Sequence, residues 1–241
     1  MGPVASGAVT RLILWDVDGT LIHSRGIGSE VFDRAFAQVL GLAPTARITE
    51  RVRLGGKTDP EIALEYLELM EIEEPHLHLP QVLALLEAEL AMAAEALAAN
   101  GAPHPGVPEL LARLAATEGV HQTLLTGNLE ANAAVKVTAF GLDRWLDLEI
   151  GAYGSDDHDR CQLVPVALER AARLRGLDVS PAEAWVVGDT ERDLACARAG
   201  GARCLLVATG NVPAADLAAI GPDALLADLS DVDAAYQILT A

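Results

Sequence analysis

Short aliphatic runs that stop abruptly at polar residues recur along the chain. Leu12 to Trp15 ends in Asp16-Val17-Asp18-Gly19-Thr20, and Thr123 to Leu125 ends in Thr126-Gly127-Asn128. Trp185 to Val187 ends in Gly188-Asp189-Thr190, and Cys204 to Val207 in Ala208-Thr209-Gly210. A brief apolar run without polar alternation is the pattern of a strand buried on both faces, as in a parallel sheet. Helical periodicity runs over Pro108 to Thr117, Glu130 to Phe140, Val164 to Arg175 and Glu191 to Ala199. Strands alternating with helices of this length predict βαβ units and an α/β fold. Right-handed crossovers then gather the carboxyl ends of the strands at one edge, where open sheets bind their ligands. The polar residues that close the runs are predicted to converge there.

The alternation fails between Ile22 and Gly101. That interval reads as helices only, around Glu30 to Leu40, Asp59 to Met70 and Pro80 to Asn100. Its entry, Ser24 to Gly28, and its exit, Gly101 to Gly106, are rich in Gly or Pro and read as hinges. The predicted division is a sheet core from residues 1–22 and 102–241 and an inserted helical domain from residues 23–101. The alternative is that these helices merely cover one face of the sheet.

Composition narrows the function classes. Half of the 241 residues are hydrophobic but only 4% are aromatic, which suits aliphatic strands and many helices. The formal net charge of -18 and the absence of a basic cluster argue against nucleic acid or an anionic membrane surface as a partner. A small anionic substrate requires a metal ion or fixed dipoles to offset that field. Cys161, Cys196 and Cys204 show no CxxC spacing, so neither a disulfide framework nor a zinc site is signalled. Met1 to Thr10 lacks the basic and apolar regions of a signal peptide, and no apolar run approaches a membrane span. The expectation is a cytoplasmic chain, monomeric or homodimeric.

Two carboxylates two residues apart at a strand end, Asp16 and Asp18, are costly to bring together unless a cation or a proton transfer uses them. Gly19 leaves the backbone open, and an Asx turn is the competing explanation. Asp189 and Asp193 stand four apart across a strand-to-helix junction, so both can face one point near the helix start. Taken alone, Asp189 or Thr190 reads equally as an ordinary helix cap. Together with Asp16 and Asp18, Asp189 and Asp193 supply hard oxygen ligands for one octahedral cation of the magnesium type. Thr126-Gly127-Asn128 offers a hydroxyl and free backbone N–H groups, an anion seat, although Thr or Asn at a helix start is commonly a cap.

These clusters, in this order and each closing a predicted strand, resemble the haloacid dehalogenase-like hydrolase superfamily. Asp16 to Thr20 matches its DxDGT form, Thr126 its second motif, and Gly188 to Asp193 its GDxxxD form. His104 to Leu111 resembles the family's return from a helical cap into a Rossmann-like core. The resemblance implies that Asp16 attacks phosphorus and that Asp18 protonates the leaving oxygen and then activates water. It implies that Thr126 and the amides around Gly127 and Asn128 hold the phosphoryl oxygens, with Gly19 and Thr20 in the substrate loop. Magnesium is then held by Asp16, the main-chain carbonyl of Asp18 and Asp189, with Asp193 binding through water or orienting its neighbours.

The family's basic residue is commonly a Lys five residues before a Pro; here Arg160 precedes Pro165 by that interval, with Lys136 as the reserve. The chain has only two lysines, Lys57 and Lys136, and a guanidinium can bridge phosphate and carboxylate. Gly55 to Asp59 resembles the cap loop that meets the leaving group, which places Lys57 at the substrate; a capping box from Thr58 to Glu61 explains the other residues. His23 is expected in the hinge, and His76, His78, His104 and His121 on the surface.

An acid at Asp18 favours phosphate transfer over dehalogenation, since an alcohol leaving group needs a proton. The resemblance is nearest to phosphoglycolate-phosphatase-like members and implies a small phosphate monoester as substrate. A sugar phosphomutase, an inorganic pyrophosphatase and a non-catalytic phosphometabolite-binding module remain open.

Overall fold

The computed structural model describes residues 10–41, 47 and 50–241. The expectation about the amino-terminal leader falls on residues 1–9, outside the described residues apart from Thr10. Among the described residues there are eight strands: β1 (Arg11–Trp15), β2 (Ile22–His23), β3 (Ala102–Pro103), β4 (Val120–Thr126), β5 (Ala152–Tyr153), β6 (Ala184–Gly188), β7 (Arg203–Val207) and β8 (Ala224–Leu226). Six of them form one parallel sheet in the order β5-β4-β1-β6-β7-β8.

β1 lies at the centre because Leu12 to Trp15 are fully buried and can be covered on both faces. In register, Trp15 stands opposite Leu124 of β4 and Val187 of β6. The residues that follow these positions therefore emerge together at the carboxyl edge. The two-residue alternation of a strand divides the interior in two. Ile13 and Trp15 point to one face, Leu12 and Leu14 to the other. The first face is covered by α5 (Val107–Ala115), α6 (Glu130–Thr138) and α10 (Val232–Thr240). The second is covered by α7 (Leu163–Arg175), α8 (Glu191–Gly200) and α9 (Ala214–Ala219). The chain is thus an α/β protein with a Rossmann-like three-layer core.

Between β2 and β3 the described residues form four helices: α1 (Ile27–Leu40), α2 (Asp59–Leu69), α3 (Pro75–Met92) and α4 (Ala94–Asn100). They enclose a separate apolar cluster that includes Phe36, Ile62, Leu67, Leu86 and Leu97, joined from the sheet side by Leu129. The chain enters and leaves this layer side by side, since β2 and β3 pair antiparallel through Ile22 with Pro103 and His23 with Ala102. At the exit, Gly106 has φ +80°, and a Cβ there would collide with the Leu229 carbonyl, so only glycine fits.

The structure departs from the sequence reading at three points. The predicted helix Pro80 to Asn100 is two helices with a break at Ala93, and the first begins at Pro75, where a proline at the opening position loses no bond. β5 and β8 were not predicted, because edge strands of two or three residues show no usable period. His104 is half-buried, not freely exposed: its ring packs edge-on against His23 with centroids 5.5 Å apart, because the β2–β3 pairing brings the two together. The cysteines are all free, with Cys196 and Cys204 buried. No helix among the described residues is long and apolar enough to cross a membrane.

Candidate active site

Asp16 is the first residue beyond β1, and its N–H still donates to the Val187 carbonyl at 2.9 Å, which ties it to the neighbouring strand. The chain then turns tightly: the Val17 carbonyl accepts from Leu21 N at 2.9 Å and Ile22 N at 3.0 Å. Gly19, with φ +84°, occupies the turn, and a Cβ there would lie 2.6 Å from an Asp189 oxygen. Asp189 follows β6 and is wedged between Gly19 and Gly210, whose backbones both need the absence of a side chain. Asp193 sits in the first turn of α8, where it closes a capping box with Thr190. Its Oδ2 accepts from Thr190 N at 3.0 Å and Thr190 Oγ1 at 2.7 Å, and its Oδ1 accepts from Arg160.

One oxygen from each of Asp16, Asp189 and Asp193 lies within 4.8 Å of the others, and all three residues are buried. Burial raises the Asp16 carboxyl above its ordinary range, against the pull of Arg160. Asp189 is raised first by burial and then by the charges of Asp16 and Asp193. Burial also opposes the Arg160 charge, but Asp193 and Asp16 more than offset it and keep the guanidinium protonated. Three buried carboxylates facing one guanidinium leave the site electrically unbalanced, and a divalent cation is the ordinary remedy. The donor set fits a hard cation of the magnesium type. Both oxygens of Asp193 are engaged by protein donors, so Asp16 and Asp189 carry the free oxygens and Asp193 orients Arg160 and Thr190.

The Asp18 side chain turns away from this triad. Its Oδ2 accepts from Lys136 Nζ at 2.5 Å and from Asn128 Nδ2 at 2.9 Å. Lys136 reaches back two turns along α6 and donates to Asn128 Oδ1 at 2.6 Å. Asn128 Nδ2 also donates to Thr126 Oγ1 at 2.8 Å. Arg160 opens a short 3-10 turn before α7 and stands 3.0 Å from Asp16 Oδ1. Arg160 and Lys136, weighed as alternatives for one basic role, therefore occupy two different sides of the site. One serves Asp16 and the other Asp18.

A cavity of about 430 Å³ opens over these groups, lined among others by Asp16, Asp18, Thr126, Asn128, Lys136 and Arg160. Gly19, Gly127 and Asp189 also line it, but Thr20 does not: it is fully buried, with Oγ1 3.5 Å from Asp189 Oδ1. Lys57 lines the cavity from the helical layer and is ion-paired with Glu65. Thr58 at the same time caps α2, accepting from Glu61 N at 3.2 Å. The helix-cap explanation of that loop therefore holds for Thr58, and Lys57 stands on the cavity side of it. Asp59, which in the sequence is only the last residue of the Gly55 to Asp59 loop, also lines the cavity; it is inconspicuous there because an acid at a helix start is unremarkable.

The family model for haloacid dehalogenase-like hydrolases matches residues 10–201. The chain belongs to that family. Among curated relatives, phosphoglycolate phosphatase 1 of Pseudomonas aeruginosa is 27% identical over 95% of this chain and 81% of its own length. The plasmid-borne phosphoglycolate phosphatase of Cupriavidus necator is 28% identical over 92% of this chain and 91% of its own. Among solved structures, CbbY from Rhodobacter sphaeroides in complex with phosphate superposes with a TM-score of 0.67 at 21% identity, covering 93% of this chain and 96% of that one. At that identity the match shows the shared fold. In this haloacid dehalogenase-like hydrolase the acidic residues close β1 and β6, the two central strands, and the helical layer is inserted in the chain order after β1 and β2 and before β3 and β4.

Proposed function

We propose that this chain is a magnesium-dependent phosphatase that hydrolyses a small-molecule phosphate monoester through an aspartyl-phosphate on Asp16. The observation that carries the reading is the divergence of two carboxylates within one turn. Asp16 faces Asp189 and Arg160, whereas Asp18 faces Lys136 and Asn128, and both line the same cavity. A binding module has no use for a nucleophile and an acid held apart in this way. The names of the two curated relatives support phosphate-ester hydrolysis of the phosphoglycolate type.

In the proposed mechanism an oxygen of Asp16 attacks phosphorus, and the bond from phosphorus to the ester oxygen breaks. Asp18 gives its proton to that departing oxygen. Two donors already occupy Asp18 Oδ2, so Oδ1 is the oxygen left to carry the proton. Thr126 and the backbone at Gly127 and Asn128 hold the phosphoryl oxygens, and Arg160 offsets the charge shared by phosphate and Asp16. Asp18 then takes a proton from water, whose oxygen attacks phosphorus and breaks the bond to Asp16, releasing phosphate and restoring the free carboxylate. Asp16, Asp189 and the main-chain carbonyl of Asp18 would hold magnesium, which when bound would supply the positive charge that lets two anions meet. Residues 23–101 act as a cap that excludes water from the first step, on a core of residues 1–22 and 102–241. Lys57 faces the leaving-group side.

The test is phosphate release across a panel of metabolite phosphates with magnesium present, including phosphoglycolate, hexose phosphates and pyrophosphate. A monoester is expected to be turned over fastest, with all turnover lost in Asp16→Asn. Faster release from pyrophosphate than from every ester, or undiminished turnover in Asp16→Asn, removes the proposal.

A further inference from the structure

Asp59 is the first residue of α2 and is only 5% exposed, although nothing in the mechanism above uses it. Its carboxylate accepts from Leu129 N, just ahead of α6, at 2.9 Å, and its own N–H donates to the Gly127 carbonyl at 2.7 Å. One residue of the helical layer therefore exchanges two hydrogen bonds with the turn that carries Thr126 and Asn128. The approach is as close as backbone allows, since a Cβ at Gly127 would collide with the Lys57 carbonyl. On α6 the charge of Lys136 and the amide of Asn132 face the Asp59 carboxylate. Lys136 continues to Asp18 and Asn128.

The needs of α2 do not explain this burial. Thr58 already caps that helix, and Glu61 already places a negative charge in its first turn. Burial raises the Asp59 carboxyl to about 6, with Lys136 and the Leu129 N–H working in the other direction. A carboxylate kept at such a cost belongs to the contact between the two layers. The same loop is held on its other side, where Arg160 donates from Nη1 to the Gly56 carbonyl at 3.1 Å and Thr58 Oγ1 donates to the His158 carbonyl at 2.8 Å.

We propose that Asp59 is a positioning residue that latches the closed cap onto the phosphate-holding turn. When the cap lifts, Leu129 N loses its acceptor and Lys136 loses one of its acidic neighbours. When it closes, the turn at Gly127 to Leu129 is fixed from above. Closure and ordering of the phosphate seat are then one event. The inference rests on the phosphatase reading for its kinetic consequence but not for its structural one.

The experiment compares Asp59→Ala and Asp59→Asn with the unaltered chain in p-nitrophenyl phosphate hydrolysis at saturating magnesium, alongside amide hydrogen exchange. Removing the latch lowers the fraction of chains in the closed state, and apparent affinity falls by that fraction. In Asp59→Ala, KM is expected to rise roughly tenfold, with kcat at saturating substrate within about twofold, because bound substrate restores closure. Asp59→Asn keeps an acceptor for Leu129 N and loses only the charge, so its KM rises less. Exchange is expected to quicken at residues 55–59 and 127–131 while β1 and β6 stay protected. An unchanged KM in Asp59→Ala, unchanged exchange in these segments, or exchange quickened evenly along the chain overturns the latch. If Asp59→Ala does not fold, Asp59→Asn, which preserves shape, decides by the same criteria. If the unaltered chain releases no phosphate from any ester, the phosphatase reading has failed, and the exchange comparison still decides the latch.

Discussion

Arg160 holds its guanidinium 3.0 Å from Asp16 while also bonding Asp193 and the Gly56 carbonyl of the helical layer. A lysine has one ammonium on a flexible stem and cannot serve three acceptors in a fixed plane. Charge-assisted hydrogen bonds are worth about 1.5 to 3 kcal/mol. Arg160→Lys is therefore expected to lower kcat/KM by roughly tenfold to a hundredfold, and Arg160→Ala by more. Steady-state kinetics with phosphate as product inhibitor check this. Equal activity in Arg160→Lys and the unaltered chain would show that the planar bridge is irrelevant.

For Asp18 the leaving group is the decisive variable. Asp18→Asn keeps an oxygen for Lys136 and Asn128 but has no proton to give. The expected loss in kcat is about 10²- to 10⁴-fold for an alkyl phosphate. It should be markedly smaller for p-nitrophenyl phosphate, whose phenolate leaves without help. An identical loss for both substrates removes the proton-donor role.

Asp189 is raised by burial and by its acidic neighbours, so its ionised form costs stability that returns as pH falls through the raised range. Asp189→Asn removes that charge and is expected to raise the thermal midpoint in metal-free buffer. Magnesium should raise the midpoint of the unaltered chain, by about 2.7 kcal/mol of stability at a hundred times its Kd, and should leave Asp189→Asn unmoved. Thermal unfolding with and without magnesium measures both effects independently of turnover. The same magnesium-induced rise in the variant would detach Asp189 from the metal.

His104 titrates in the opposite sense. Burial, and then the neighbouring His23, lower its pKa from the ordinary 6.5. Its neutral form is the one the hinge accommodates, so its contribution is fully present above pH 6.5 and is lost as pH falls below that value towards the lowered folded pKa. His104→Gln should lose less stability than the unaltered chain between pH 7.5 and 5.5, as read from the difference in thermal midpoints. The difference isolates this group because the raised carboxylates are common to both proteins. A difference of zero, or of opposite sign, contradicts the assignment.

The central strands were legible in sequence because a strand buried on both faces must be apolar throughout, and Leu12 to Trp15 and Trp185 to Val187 are. Their polar ends were legible for the same reason: Asp16 and Asp189 stand where burial stops and the chain must leave the sheet. The edge strands β5 and β8 were not, because two or three residues carry no period. His104 was misplaced because the sequence holds no sign that β3 pairs with β2.

The sequence alone determined the parallel core and the set of acidic groups that meet at its carboxyl edge, since both follow from local pattern and the handedness of crossovers. Only the tertiary structure decided how the cations are shared out, with Arg160 on Asp16 and Lys136 on Asp18. It alone turned Asp59 from a helix-start acid into a buried contact between two layers. The physical reason is range. Periodicity and caps are set by neighbours within a turn, whereas the partner of a buried charge is whichever group the folded chain leaves within about 3 Å of it.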